Sequence, residues 1–374
     1  MEKDDMTDER RLPDVLKGAN GNAIKTVEEW RGSRRPEILE LFRTYVYGRE
    51  PVGRPASQVF ETVITPGTMN GAAVRKQVEI RFEGQGGTGK VRLLLFVPSE
   101  GKGPYPAFLF LNNRGVTEMD PERRDISMFW PAERIVARGY AAAALDLEDA
   151  DPDVDEGHRN GVHGIFDEYD GERPKDAWAT IAAWAWAARR AMDYLATDPD
   201  LDAGRIAVAG HSRGGKTALW AGALDERFAL VVSNESGSTG AALSRGKRGE
   251  TIQAINDRFP HWFNGHYKSF NGREEALPVD QHMLIAALAP RSVYVASAVQ
   301  DEWADPASEF AALAEAAPVY RLHGYKGLAG APFPAPESPL FGERMGYHLR
   351  SGGHDLTAYD WERFMDFADA GALK

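Results

Sequence analysis

Gly210-His211-Ser212-Arg213-Gly214 stands between a short apolar run, RIAVAG, and an amphipathic stretch, KTALWAGAL, so a serine falls on a strand-to-helix turn. In that setting G-x-S-x-G reads as a nucleophile elbow. The glycines, lacking a Cβ, let strand and helix close together while the hydroxyl projects from the sheet edge. The helix that follows directs unpaired amides and its positive end at any oxyanion forming on a carbonyl, which is the chemistry of acyl transfer. The same residues satisfy a second pattern: Gly210 to Thr217 also reads G-x-x-x-x-G-K-T, a phosphate-cradling loop. The two uses exclude each other. A phosphate loop ordinarily opens its domain and precedes a strand ending in an acidic Mg²⁺ ligand; here about two hundred residues come first and FALVVSNES fits poorly, so a P-loop nucleotide hydrolase is the weaker alternative. GQGGTGKV at 84–91 lacks the Ser/Thr and lies between strand patterns, which makes it a hairpin turn.

A serine hydroxyl needs a base, and the base needs an acid to hold its tautomer and stabilise imidazolium. The chain order Ser, acid, His leaves His261, His266, His282, His323, His348 and His354. His354 is favoured: in SGGHDLT it follows the apparent last strand, YHLR, and precedes a helix, AYDWERFMDFA, which places it on a loop at the sheet edge. His348 lies inside that strand and reads as structural. Two acids qualify by position: Glu235 after FALVVSN and Asp301 after SVYVASAVQ. Spacing does not separate them.

The elements that must hold these residues fall into two groups. From about 58 to 97, QVFETVIT, AVRKQVEIRF and KVRLLLFV alternate as antiparallel strands with Gly-rich turns. Then PAFLFL, YAAAALDL, RIAVAG, LVVSN and SVYVASA are continuous apolar runs separated by helical stretches, the pattern of buried parallel strands. The expected fold is an α/β-hydrolase: one domain over 1–374, a doubly wound, mostly parallel sheet with antiparallel N-terminal edge strands, and an N-terminal arm over about 1–35. An amphipathic helix is expected through VEEW and RRPEILELFRTYVYG. The aromatics of WATIAAWAWAARRAMDYLAT read as packing, and LAGAPFPAPESPLFG at 328–342 as one long surface loop.

Composition narrows the function classes. A formal charge of −12 and the absence of a Lys/Arg block argue against nucleic-acid or anionic-membrane partners. There is no cysteine, which excludes disulfides, thiolate metal sites and cysteine nucleophiles. MEKDDMTDERRLPD has no apolar core, so as written it is neither a signal peptide nor an anchor. DLEDADPDVDEG at 146–157 resembles a calcium loop, but its Gly comes one position late and Val162 stands where the twelfth-position Glu is required. It reads as a loop over the sheet edge, rimming the pocket. No His/Asp cluster has zinc spacing; neither a metal nor an organic cofactor is expected, and the expected state is a monomer.

GHSRGGKTALW, SNESG, GETIQAINDRFPHWF, DEWADP and SGGHDLTAYDW, in that order, together resemble the bacterial branch of the glucuronoyl esterases, carbohydrate esterase family fifteen, and RRPEILELFRTYVYGREP extends the likeness to the N-terminal region. The resemblance implies hydrolysis of the ester between 4-O-methyl-glucuronate on xylan and a lignin alcohol, in a secreted or periplasmic setting. It implies Ser212 as nucleophile, His354 as base, Arg213 as an oxyanion-stabilising side chain, and a carboxylate at either or both of Glu235 and Asp301. Lys216, Glu250 and Trp303 match positions that contact the glucuronate ring, and Gln253 aligns less closely with another. LNNRG departs from the pattern, so Arg114 receives no role. A related carbohydrate esterase, such as one acting on acetylated xylan, is the main alternative.

Overall fold

In the computed structural model, which describes residues 10–169 and 171–373, the apolar runs form one ten-stranded sheet. Its strands are β1 (Val59–Thr68), β2 (Ala73–Gly84), β3 (Gly87–Pro98), β4 (Tyr105–Asn112), β5 (Ala141–Asp146), β6 (Leu201–His211), β7 (Phe228–Asn234), β8 (Ser292–Ala298), β9 (Leu340–Phe341) and β10 (Met345–Arg350). The order is β1-β2-β3-β5-β4-β6-β7-β8-β10-β9. β1, β2 and β3 pair antiparallel and join β5 antiparallel, whereas every pair from β5 through β4, β6, β7 and β8 to β10 is parallel. This is the α/β-hydrolase arrangement expected above. GQGGTGKV holds the β2–β3 hairpin turn at Gln85 and Gly86, with its remaining residues paired in the two strands.

The parallel strands are predominantly apolar because both faces are covered. Alternation assigns the faces: Ala143 and Leu145 of β5 and Leu109 and Leu111 of β4 join one core, while Ala142, Ala144, Phe108 and Phe110 join the other. The first core contains residues of the helices Thr180–Leu195, Arg213–Leu224, Gln281–Ala286 and Pro306–Leu322. The second contains Ala132–Ala137 and Ala358–Phe367. Trp184 and Trp186 are fully buried packing residues, their indole N–H groups satisfied by the carbonyls of Asp151 and Val52.

A helical run extends from Val27 to Tyr47, with π-helical turns at Trp30–Arg34 and Arg43–Tyr47. Thr26 and Glu29 form a capping box at its start. The described part of the arm packs on the domain: Val15 is buried, and the Arg34 guanidinium donates to the carbonyls of Asp14 and Val15. The first nine residues, and so most of the segment MEKDDMTDERRLPD, lie outside the described residues. The Pro-rich segment is a loop except at its end, where Leu340–Phe341 pairs antiparallel with β10 and becomes the sheet edge.

Candidate active site

At the C-terminal end of β6 the backbone turns at Ser212 with φ 55° and ψ −123°, a left-handed conformation that a serine adopts only under constraint. The glycines on either side explain how it is held. A Cβ on Gly210 would stand 2.1 Å from the Gly214 carbonyl oxygen, and one on Gly214 would stand 2.8 Å from that of Leu111. The helix Arg213–Leu224 therefore starts directly against the sheet; the Gly215 and Lys216 amides close its first turn on the Ser212 carbonyl, and those of Arg213 and Gly214 have no acceptor within the helix. The Ser212 amide donates to the Asn234 carbonyl at 2.9 Å, tying the turn to β7.

His354 comes from the loop after β10. Its Nδ1 lies 2.6 Å from Asp301 Oδ2 and 3.4 Å from Glu235 Oε2, and its ring packs against that of His211, the residue before Ser212, with centroids 4.5 Å apart. Both acids named from the sequence thus converge on one nitrogen, leaving Nε2 as the imidazole's other working atom. They differ in their remaining contacts. Glu235 is fully enclosed, accepts from Arg350 Nη2 at 2.5 Å and from the Asp355 amide at 2.9 Å, and holds a positive φ of 45°. Burial pushes its carboxyl up to about 10 despite the Arg350 charge, with Asp360 and Asp301 adding to the rise.

Arg350, the last residue of β10, was not legible as functional. It is buried, and its guanidinium donates to the carbonyls of Ser351, Gly353 and Asp355, to Glu235, and to both oxygens of Asp360. The loop that carries His354 is thereby wrapped around one cation. His348 is structural, as its strand position suggested: its Nε2 meets Asp360 at 2.8 Å and its Nδ1 meets the Tyr294 hydroxyl at 3.0 Å.

Arg213, next to Ser212, is held in place. Its Nε lies 2.8 Å from Asp153 Oδ2 and its Nη2 donates to the Asn113 carbonyl at 2.7 Å. The 146–157 loop does rim the site, through Asp153. On the opposite wing Trp303 Nε1 donates to Glu250 Oε1 at 3.0 Å, and Glu250 Oε2 lies 3.9 Å from Lys216 Nζ. Lys216 is buried instead of being a surface lysine, and its ammonium donates to the carbonyls of Ser236 and Ser238. Burial lowers its pKa, with Glu250 opposing. Trp303 presents a half-exposed ring. Gln253 is exposed on the helix Ile252–Arg258, and none of the polar contacts joining the other residues reaches it. Arg114 packs over the Phe129 ring and pairs with Asp355 at the mouth.

The phosphate-loop reading fails on the same geometry. The lysine it needs is spent on two carbonyls, and the Thr217 hydroxyl donates to the Arg213 carbonyl at 2.8 Å, so neither is available to phosphate or Mg²⁺. Glu235, Asp301 and His354 have ligand atoms within 4.8 Å of one another, close enough for a cation, but this is the cluster in which Nδ1 is already engaged. A cleft of about 740 Å³ lies elsewhere, between β1–β3 and residues 116–125; it is lined by Asp146 and Asp149 but by none of Ser212, Arg213, Lys216, Glu235, Asp301 and His354.

A family model described as glucuronyl esterase, fungi, matches residues 80–324. A carbohydrate esterase from an unknown prokaryotic organism is 41% identical over 386 aligned positions, covering 96% of this chain and 89% of the relative. The chain belongs to the glucuronoyl esterase family. A solved glucuronoyl esterase from Solibacter usitatus superposes with a TM-score of 0.90 at 40% identity, covering 96% of this chain and 97% of that one. A 4-O-methyl-glucuronoyl methylesterase from Phanerochaete carnosa is 27% identical over 84% of this chain and 72% of its own length. The protein is a carboxylic ester hydrolase of the family's bacterial branch.

Proposed function

We propose that the protein hydrolyses esters of 4-O-methyl-glucuronate, the bond joining glucuronoxylan to a lignin alcohol, by acyl transfer through Ser212. His354 Nε2 takes the proton as Ser212 Oγ attacks the ester carbonyl. The tetrahedral oxyanion is met by the Arg213 guanidinium and the free amides at the helix start. Collapse returns the proton from His354 to the leaving alcohol, and water activated by the same nitrogen then releases the uronate and restores the serine. Glu250 and Trp303 form the wing that faces the sugar, with Lys216 bracing it from beneath through the Ser236 and Ser238 carbonyls and the charge of Glu250, and Gln253 at most peripheral to it.

The observation that carries this reading is the 2.6 Å contact between His354 Nδ1 and Asp301, on a ring packed against the residue before Ser212. It also favours Asp301 as the acid of the triad. Glu235, 3.4 Å away and biased by burial toward its protonated form, is the weaker partner for an imidazolium. Asp301→Ala is expected to lower kcat by about 10³-fold or more and Glu235→Gln by less than about tenfold; the reverse ranking would exchange their roles. The substrate class is tested by comparing kcat/KM for a benzyl ester of 4-O-methyl-glucuronate with that for an acetylated xylo-oligosaccharide. Faster acetyl release would replace this reading with that of an acetyl xylan esterase.

A further inference from the structure

We propose that Asp153 is a positioning residue for the reaction, holding the Arg213 guanidinium so that one corner of it faces the oxyanion. The inference rests on Arg213 being an oxyanion donor, as read above. Its observations are independent of that role. Asp153 belongs to the acidic loop after β5, whose residues looked like an imperfect cation site in the sequence, yet its carboxylate is fully used by protein donors. Oδ1 accepts from Trp262 Nε1 at 2.6 Å and faces His261 Nε2 at 2.9 Å, while Oδ2 lies 2.8 Å from Arg213 Nε.

The donors are themselves fixed. Trp262 stacks on Phe259 with centroids 3.7 Å apart and planes 2° from parallel, and the His261 carbonyl accepts from the Thr180 amide at 3.1 Å. Asp153 is thus a rigid acceptor. Burial alone would raise its carboxyl, but the hydrogen bonds from His261 and Trp262 and the charge of Arg213 outweigh this and hold it below the usual range.

A guanidinium is a planar fork, and two fixed contacts define its orientation. Nε is held by Asp153 and Nη2 by the Asn113 carbonyl, and Asn113 itself donates from its side chain to the His211 carbonyl at 3.0 Å. Nη1 is the remaining corner, with no hydrogen bond among the described residues. The cation's plane is therefore referenced to both residues that flank the attack: the one before Ser212 and, through Arg213's own backbone, the one after. Placing a carboxylate beside an oxyanion donor also has an opposite effect, because it dampens the positive potential. The geometry points to orientation as the larger effect, since a donor that is already aimed does not have to reorganise as charge develops.

The test is a double-mutant cycle with wild type, Asp153→Asn, Arg213→Ala and the double variant, measuring kcat and KM on a benzyl glucuronate ester, with thermal midpoints for all four. Asn keeps an acceptor for Trp262 but loses the charge that grips Arg213. Arg213→Ala should lower kcat by about 100-fold, and Asp153→Asn by about tenfold with KM nearly unchanged. In the Arg213→Ala background, Asp153→Asn should cost less than about twofold. Should Asp153→Asn fail to fold, Trp262→Phe, which loosens the same carboxylate without touching Arg213, should still lower kcat by a few fold in the presence of Arg213 only. An equal penalty in both backgrounds would reduce Asp153 to a structural residue, and a raised kcat in Asp153→Asn would mean that damping wins. An Arg213→Ala variant with wild-type kcat would instead remove the oxyanion assignment, and with it anything for Asp153 to position.

Discussion

Replacing Arg350 by methionine, which keeps the bulk of the stem and removes the fork, tests how the catalytic loop is held. Six hydrogen bonds are lost: three to the carbonyls of Ser351, Gly353 and Asp355, one to Glu235 and two to Asp360. The two carboxylates do not respond alike. Glu235, already raised to about 10, holds its proton near neutral pH and so loses a hydrogen bond without being left as a buried charge. Asp360 keeps His348, the Thr357 hydroxyl and the Thr357 amide as donors. The larger loss is the orphaned carbonyls, of which those near solvent recover water, so the net destabilisation should be about 3–5 kcal/mol, the range for breaking a buried ion pair. Because the freed segment carries His354, kcat should fall by about 100-fold even at temperatures where the variant is folded, with KM changing much less. Urea unfolding gives the first quantity and steady-state kinetics the second. A variant that loses less than about 1 kcal/mol and keeps kcat within threefold would refute the hub.

Other substitutions probe separate parts of the account. Gly210→Ala drives a Cβ to 2.1 Å from the Gly214 carbonyl oxygen, so it should destabilise by about 3 kcal/mol or more and abolish activity; a soluble, active Gly210→Ala enzyme would show that the elbow is not under that constraint. Lys216→Met orphans the carbonyls of Ser236 and Ser238 and should cost about 2 kcal/mol in urea unfolding as well as raising KM for the uronate ester, whereas a surface lysine would show neither effect. Burial, with Asp149 and Glu148 adding to it, pushes the Asp146 carboxyl up to about 6. The folded state then holds that proton more tightly than the unfolded chain, so the contribution is intact below about pH 4 and lost as pH rises through about 6. Asp146→Asn should match wild type at pH 4 and be more stable at pH 7 by about 1–2 kcal/mol, allowing for solvent at the cleft; equal stability at both pH values would contradict it.

How much of this could be seen in the sequence depended on whether the signal was local. The strands and elbow were legible because a continuous apolar run, a glycine pair and an amphipathic helix are adjacent in the chain. His354 and both acids were legible because a strand end places whatever follows it at the sheet edge. Their ranking was not, because it turns on two distances to one nitrogen and on what else touches Glu235. Arg350 looked like any strand-terminal arginine, since its partners lie as far away in sequence as Glu235. Asp153 was hidden in an acidic loop whose spacing suggested a cation, while its real partners, His261 and Trp262, are more than a hundred residues on. Lys216 could be read as a surface group from its helical position alone, and only the Ser236–Ser238 turn packed over it shows that it is enclosed.

The most direct test of the central claim is intact-mass and peptide-mapping analysis after treatment with a fluorophosphonate, which reports whether one hydroxyl has been made nucleophilic. Wild type is predicted to take up a single adduct on Ser212, with His354→Ala labelling at least about 100-fold more slowly. Labelling of His354→Ala at the wild-type rate, or an adduct on any other residue, would contradict the mechanism.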